Sequence, residues 1–114
     1  MSTSTETLEA ILEAAGPGAS TRRMFGEAAL YLGPKLVALV CDDRLFLKAT
    51  DPGRTLLPEA EEAPPYPGAK PHLVVPEDLW EEPGFLSRLV AATADALPEP
   101  KARRRKPRGG RAFP

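Results

Sequence analysis

The sequence predicts an α+β domain in two layers: an antiparallel β-meander of three to four strands packed against an N-terminal and a C-terminal helix. Three observations predict it. Apolar residues recur at helical spacing near both ends, at Leu8, Ile11, Leu12 and Ala15 and again at Phe85, Leu86, Leu89 and Val90. Between them run β-favouring segments joined by the short connections Gly33-Pro34 and Asp42-Asp43. Connections that short force antiparallel neighbours, because a parallel crossover needs about a dozen residues or more. Two one-sided helices then need one apolar sheet face to bury against. At 114 residues the chain is long enough for one such domain and its core.

The first helix is expected over residues 3–15. Thr3 can cap it, and Glu6, three residues on, completes a capping box. Gly16-Pro17-Gly18 ends it, because Gly suits the position after a helix and Pro cannot continue one. A strand is expected near 23–32. Leu36-Val37-Ala38-Leu39-Val40-Cys41 reads as a central strand, and Arg44-Leu45-Phe46-Leu47-Lys48 follows across a tight Asp42-Asp43 turn. Asp51-Pro52-Gly53 opens an irregular region with a short helix expected within 54–62, then the proline-rich run "APPYPGAKPH" in extended form. Leu73-Val74-Val75 is the candidate fourth strand. The last helix is expected from about Pro83, with Glu81 and Glu82 before it at the positive end of its dipole, and Pro98 and Pro100 stop it.

Charge divides the chain. Of 15 basic residues, seven (Lys101, Arg103, Arg104, Arg105, Lys106, Arg108 and Arg111) lie from residue 101 onward, where there is no acid. The other eight share residues 1–100 with all 16 acids, so a body near −8 carries a tail near +7. We therefore expect a domain over 1–98 and a disordered basic tail over 99–114. Seven cations would give weak, salt-sensitive, sequence-independent contact with a polyanion such as nucleic acid. Phe113 is the only aromatic there, so base stacking would be slight. The plainer role is a solvated end.

Residues that could carry chemistry are few. The single Cys41 excludes an intramolecular disulfide and a multi-cysteine zinc site. It reads as a small buried hydrophobe, with Asp42 and Asp43 beside it opposing a thiolate. His72 has no spaced ligand partners, and no flanking sequence supports a Cys41–His72 nucleophilic pair. The pairs Asp42-Asp43, Glu61-Glu62 and Glu81-Glu82 read as turn or helix-start residues, and "GPGAS" and "RGGR" lack the lysine of a phosphate loop. No enzyme, metal or cofactor is expected. No apolar run approaches the roughly 20 residues of a membrane helix, and the acidic N-terminus is unlike a signal peptide. A reducing cytoplasm is the expected compartment.

Two places are candidates for gripping a partner. In Arg22-Arg23-Met24-Phe25-Gly26, Met and Phe read first as core fillers at a strand start, with Gly26 as a bulge. The functional alternative is a surface around Arg22 and Arg23. Tyr66 and Trp80 lie near Pro64, Pro65 and Pro67. Trp80 can close the core, or with Tyr66 it can form an exposed aromatic–proline surface. An exposed edge strand of the meander would also let two copies pair as a homodimer.

Arg23-Met24-Phe25-Gly26, the following Leu30-Tyr31, and "ALVCDDRLFLKATD" together resemble the N-terminal domain of the TfoX/Sxy family of bacterial competence regulators. Tyr66 and Val75-Pro76-Glu77-Asp78 extend the resemblance over about residues 5–97. Glu27 stands where the family commonly has a second glycine, and His72-Leu73-Val74 replaces an aromatic pair. The full-length regulators carry a second, helical domain, where this chain has its basic tail. The resemblance implies the fold and a regulatory, protein-binding module, with the transcription machinery as the partner class.

Overall fold

The computed structural model describes residues 3–98. In chain order its elements are α1 (Thr5–Ala15), β1 (Ala19–Met24), β2 (Glu27–Leu32), β3 (Lys35–Cys41), β4 (Arg44–Leu47), α2 (Asp51–Leu56), β5 (Glu62–Ala63), β6 (His72–Val75), α3 (Glu77–Trp80) and α4 (Phe85–Ala96). The strands form one antiparallel sheet in the order β1-β2-β3-β4-β6-β5. The α+β class and the packing of N- and C-terminal helices on an antiparallel sheet are as the sequence predicts. The basic tail and its seven cations lie outside the described residues.

Among the described residues the sheet holds six strands rather than three or four. The segment expected as one strand near 23–32 is split by a turn at Phe25-Gly26, and a further strand, β1, precedes it. Among the described residues β1 pairs only with β2, so it forms one edge of the sheet, and its Ser20, Arg22, Arg23 and Met24 are exposed. Such a strand has no apolar alternation to betray it. The expected fourth strand is present as β6, inserted between β4 and the two-residue edge strand β5. The short helix begins earlier than expected, at Asp51, because the Thr50 hydroxyl caps it by accepting from Gly53 N–H at 3.1 Å.

The cap of α1 shifts by one residue. Ser4, not Thr3, accepts from the Thr7 N–H, at 3.1 Å. Thr3 is buried instead, and its hydroxyl donates to Glu27 Oε1 at 2.7 Å. Two adjacent hydroxyls could each have capped the helix; a tertiary partner took one of them.

One sheet face carries Ala28, Leu30, Ala38, Val40, Leu45, Leu47, Leu73 and Val75, packed with Leu8 and Ile11 of α1 and Leu86, Leu89 and Val90 of α4. Period-two alternation in the strands meets helical spacing in the helices, which makes this the core. Lys35, at the start of β3, closes the C-terminal end of α4: its Nζ donates to the carbonyls of Ala94 at 2.9 Å and Leu97 at 3.0 Å. The alternate strand positions, among them Ala29, Leu39, Cys41, Phe46 and Val74, line the opposite face. That face is also apolar. The Arg44 guanidinium lies 5.1 Å from the centre of the Phe46 ring and pairs with Glu61 at 3.7 Å.

Candidate functional site

Two hairpin turns stand side by side at one end of the sheet. β1 turns into β2 at Phe25-Gly26, and β3 turns into β4 at Asp42-Asp43. All four turn residues have positive φ: 54° at Phe25, 83° at Gly26, 55° at Asp42 and 60° at Asp43. Two-residue hairpins favour this left-handed geometry because it matches the twist of the strands. Asp tolerates it and Gly is indifferent to it; Phe is a poor fit.

The N-terminal segment laces the two turns together. Thr3 N–H donates to the Gly26 carbonyl at 2.9 Å. Glu27 Oε1 accepts from the Thr3 hydroxyl and from Asp42 N–H at 3.0 Å. Asp43 Oδ1 accepts from Ser4 N–H and from the Thr7 hydroxyl, each at 2.9 Å. Arg23 donates to the Thr5 hydroxyl at 3.3 Å and to the Gly26 carbonyl at 3.4 Å. Accepting from Ser4 N–H and Thr7 holds the Asp43 carboxyl below its ordinary pKa.

This laced end presents apolar surface to solvent. Among the described residues the exposed large hydrophobic side chains are Met24, Phe25 and Tyr66, with Phe25 98% exposed. They border a groove of about 450 Å3, whose floor includes Leu39 and Cys41 and whose far wall is Pro65 and Tyr66 of the β5–β6 connection. Glu27 is the charged side chain in the lining, and its carboxylate is engaged as described. Burial first, then the carboxylates of Glu27 and Asp42, push the Cys41 thiol up, so it is neutral at physiological pH and a poor nucleophile. Apolar walls with few polar groups suit an apolar side chain from outside.

The structure separates the residues singled out in the sequence. Arg22 and Arg23 are both exposed at this end, but strand alternation points them to opposite faces. Arg22 shares the groove side with Met24, whereas Arg23 turns toward α1. Tyr66 lies on the groove. Trp80 does not join it: it is buried in the helix-side core, where its Nε1 donates to the Val75 carbonyl at 3.2 Å. The joint aromatic–proline surface therefore does not form, and Trp80 closes the core. Cys41 and His72 lie on strands separated by β4, and the His72 ring nitrogen Nδ1 sits 2.9 Å from the Lys70 carbonyl. Among the described residues no group of three or more His, Cys, Asp or Glu is placed to hold a metal ion. Nor is any helix there long and apolar enough to cross a membrane.

Phe25 was the residue that sequence reasoning misplaced. It read as core filler, and it is the most exposed large apolar side chain described. The available signal was Gly26 between two short runs of strand character, with a two-residue span that a hairpin can close.

Residues 10–97 match the family model of the TfoX N-terminal domain. An uncharacterized 12.7 kDa protein in the trpE 5′ region of Spirochaeta aurantia is 45% identical over 98 residues, which is 84% of each chain.

Proposed function

The chain belongs to the TfoX N-terminal domain family, and on that premise we propose that it is a small, non-enzymatic regulatory module that acts by gripping another protein in the cytoplasm. The observation that carries this reading is Phe25. Its left-handed backbone costs roughly 1–2 kcal/mol for a residue with a Cβ. Its exposed ring also forgoes roughly 1.5–3 kcal/mol of burial. Asn in its place would relieve both costs. A side chain held outward against both, beside Met24, Tyr66 and an open groove, fits an anchor that a partner covers. The groove favours binding over catalysis, because its carboxylate is already engaged and its thiol is neutral.

The test uses the whole protein as bait in its own cytosol, with the captured partner identified and its affinity titrated. Phe25→Ser should weaken that affinity at least about tenfold while the fold persists by circular dichroism. A partner that binds Phe25→Ser as tightly as the parent, or no saturable partner at all, contradicts the reading.

A second reading rests on the seven cations between Lys101 and Arg111. They would hold a polyanion without sequence preference, leaving the acidic body to its own partner. A salt titration of duplex DNA binding, with the whole chain against residues 1–100, tests it. Binding that survives truncation unchanged removes the tail from consideration.

A further inference from the structure

We infer that the open edge of β1 accepts an extended acidic strand from the protein partner, with one large apolar side chain of that strand seated in the groove beside Met24 and Phe25. The inference rests on the proposed protein-binding role and specifies the chemistry of the partner.

Among the described residues the edge is free, and its hydrogen-bonding parity is fixed. Gly33 N–H donates to the Gly18 carbonyl at 3.0 Å, and from there the register runs without a shift to Met24 opposite Glu27. In an antiparallel ladder, hydrogen-bonded and non-bonded pairs alternate. Ser20, Arg22 and Met24 therefore aim their backbone groups at β2. Thr21 and Arg23 aim theirs away from the sheet, and no described backbone group outside the ladder pairs with either residue. An incoming strand finds two N–H and two C=O groups spaced about 6.6 Å apart, the repeat of a strand.

Charge selects the strand. The described body is strongly acidic, but β1 carries no acid and two arginines. Arg22 makes no ion pair among the described residues, and Arg23 bonds only a hydroxyl and a carbonyl. Because the two arginines lie on opposite faces, carboxylates on either face of an added strand meet a cation. A second copy of this chain paired about Arg22 would set like charges opposite one another, and no register of two β1 strands supplies a carboxylate. The groove opens at Met24, on this same edge, so a strand running along β1 delivers a side chain into it.

The test uses the full chain and a short synthetic peptide of alternating glutamate and valine ending in phenylalanine. Its counterpart with lysine in place of glutamate is the control. The acidic peptide should bind saturably and slow amide exchange at Thr21 and Arg23. Thr21→Pro removes an outward N–H and leaves the ladder to β2 intact, because edge strands tolerate proline; it should weaken binding about tenfold or more. Methylating the peptide's own backbone amides should do the same without altering the protein, which covers a variant that fails to fold. No binding of the acidic peptide, equal binding of the lysine peptide, or indifference to both backbone changes overturns the inference. So does a dimer of the free protein that Thr21→Pro dissociates. The natural partner separates this inference from the reading beneath it. If Phe25→Ser abolishes capture and Thr21→Pro does not, the binding module stands and the edge-strand inference falls. If neither variant alters capture, both fall.

Discussion

The two hairpin turns at the end of the sheet share a backbone geometry and differ in what their side chains do. At Asp42-Asp43 the left-handed residues are tolerant of that geometry, and Asp43 works inside the fold by accepting from Ser4 and Thr7. At Phe25-Gly26 the first residue is a poor fit to the same geometry, and its ring touches solvent almost entirely. The Asp42-Asp43 turn has residues that suit its geometry and bond within the fold, whereas the Phe25-Gly26 turn has neither at its first position. Within one domain that contrast separates a structural turn from a candidate recognition turn better than composition can, because both turns are short, exposed and laced by the same N-terminal segment.

The largest effect comes from breaking what joins the turns. Glu27→Ala removes the acceptor for Asp42 N–H and one partner of the buried Thr3 hydroxyl, and should lower unfolding free energy by about 2 kcal/mol. Urea denaturation measures it, and peptide binding at the Phe25 turn should fall with it. A loss of comparable kind at the far end of the sheet is the control. Lys35→Met strips Nζ from the carbonyls of Ala94 and Leu97 and should cost about 1 kcal/mol after allowing for solvent screening, without altering binding. Thr93 is fully buried on α4, and its hydroxyl has no hydrogen-bond partner among the described residues. Thr93→Val should raise stability by up to about 1 kcal/mol, because an unsatisfied buried hydroxyl carries a desolvation cost. Binding should again be unchanged.

The smallest effect is acidic and confined to the structural turn. The folded-state pKa of Asp43 lies below its ordinary value of 3.8. In the window between the two, the unfolded state binds more protons than the folded one. The contribution of Asp43 is therefore present above 3.8 and is lost as pH falls through the folded-state value. In melts taken from neutral to acid pH, the parent should lose its advantage over Asp43→Asn in that window. A constant difference at all pH values would mean that the carboxylate charge plays no part.

Much of the fold was legible because local chemistry and tertiary demand agreed. The apolar spacing of Leu8, Ile11, Leu86 and Leu89 became the helix side of the core, and Asp42-Asp43 became the turn its residues favour. β1 was illegible because an exposed edge strand, "ASTRRM", has no buried face to impose an alternation. The Phe25 turn is signalled by Gly26 alone, because turn chemistry is read from residues that suit it and Phe does not. Trp80 closes the core, the first of the two readings its sequence position allows, and its indole finds a partner in the backbone carbonyl of Val75. The sequence singles out Arg22, Arg23 and Tyr66, which lie exposed at this end of the sheet, and assigns the likewise exposed Phe25 to the core. The misreading of Phe25 has a physical cause: where a residue occupies backbone geometry that suits it poorly, reasoning from local preference gives a different answer.

Equilibrium urea denaturation of Phe25→Asn beside the parent tests the central claim most directly. If Phe25 is held outward at the expense of the fold, Asn at this left-handed position should raise unfolding free energy by about 1 kcal/mol. A variant less stable than the parent would show that the ring packs within the domain, and the Phe25 turn would then be a structural turn like its neighbour.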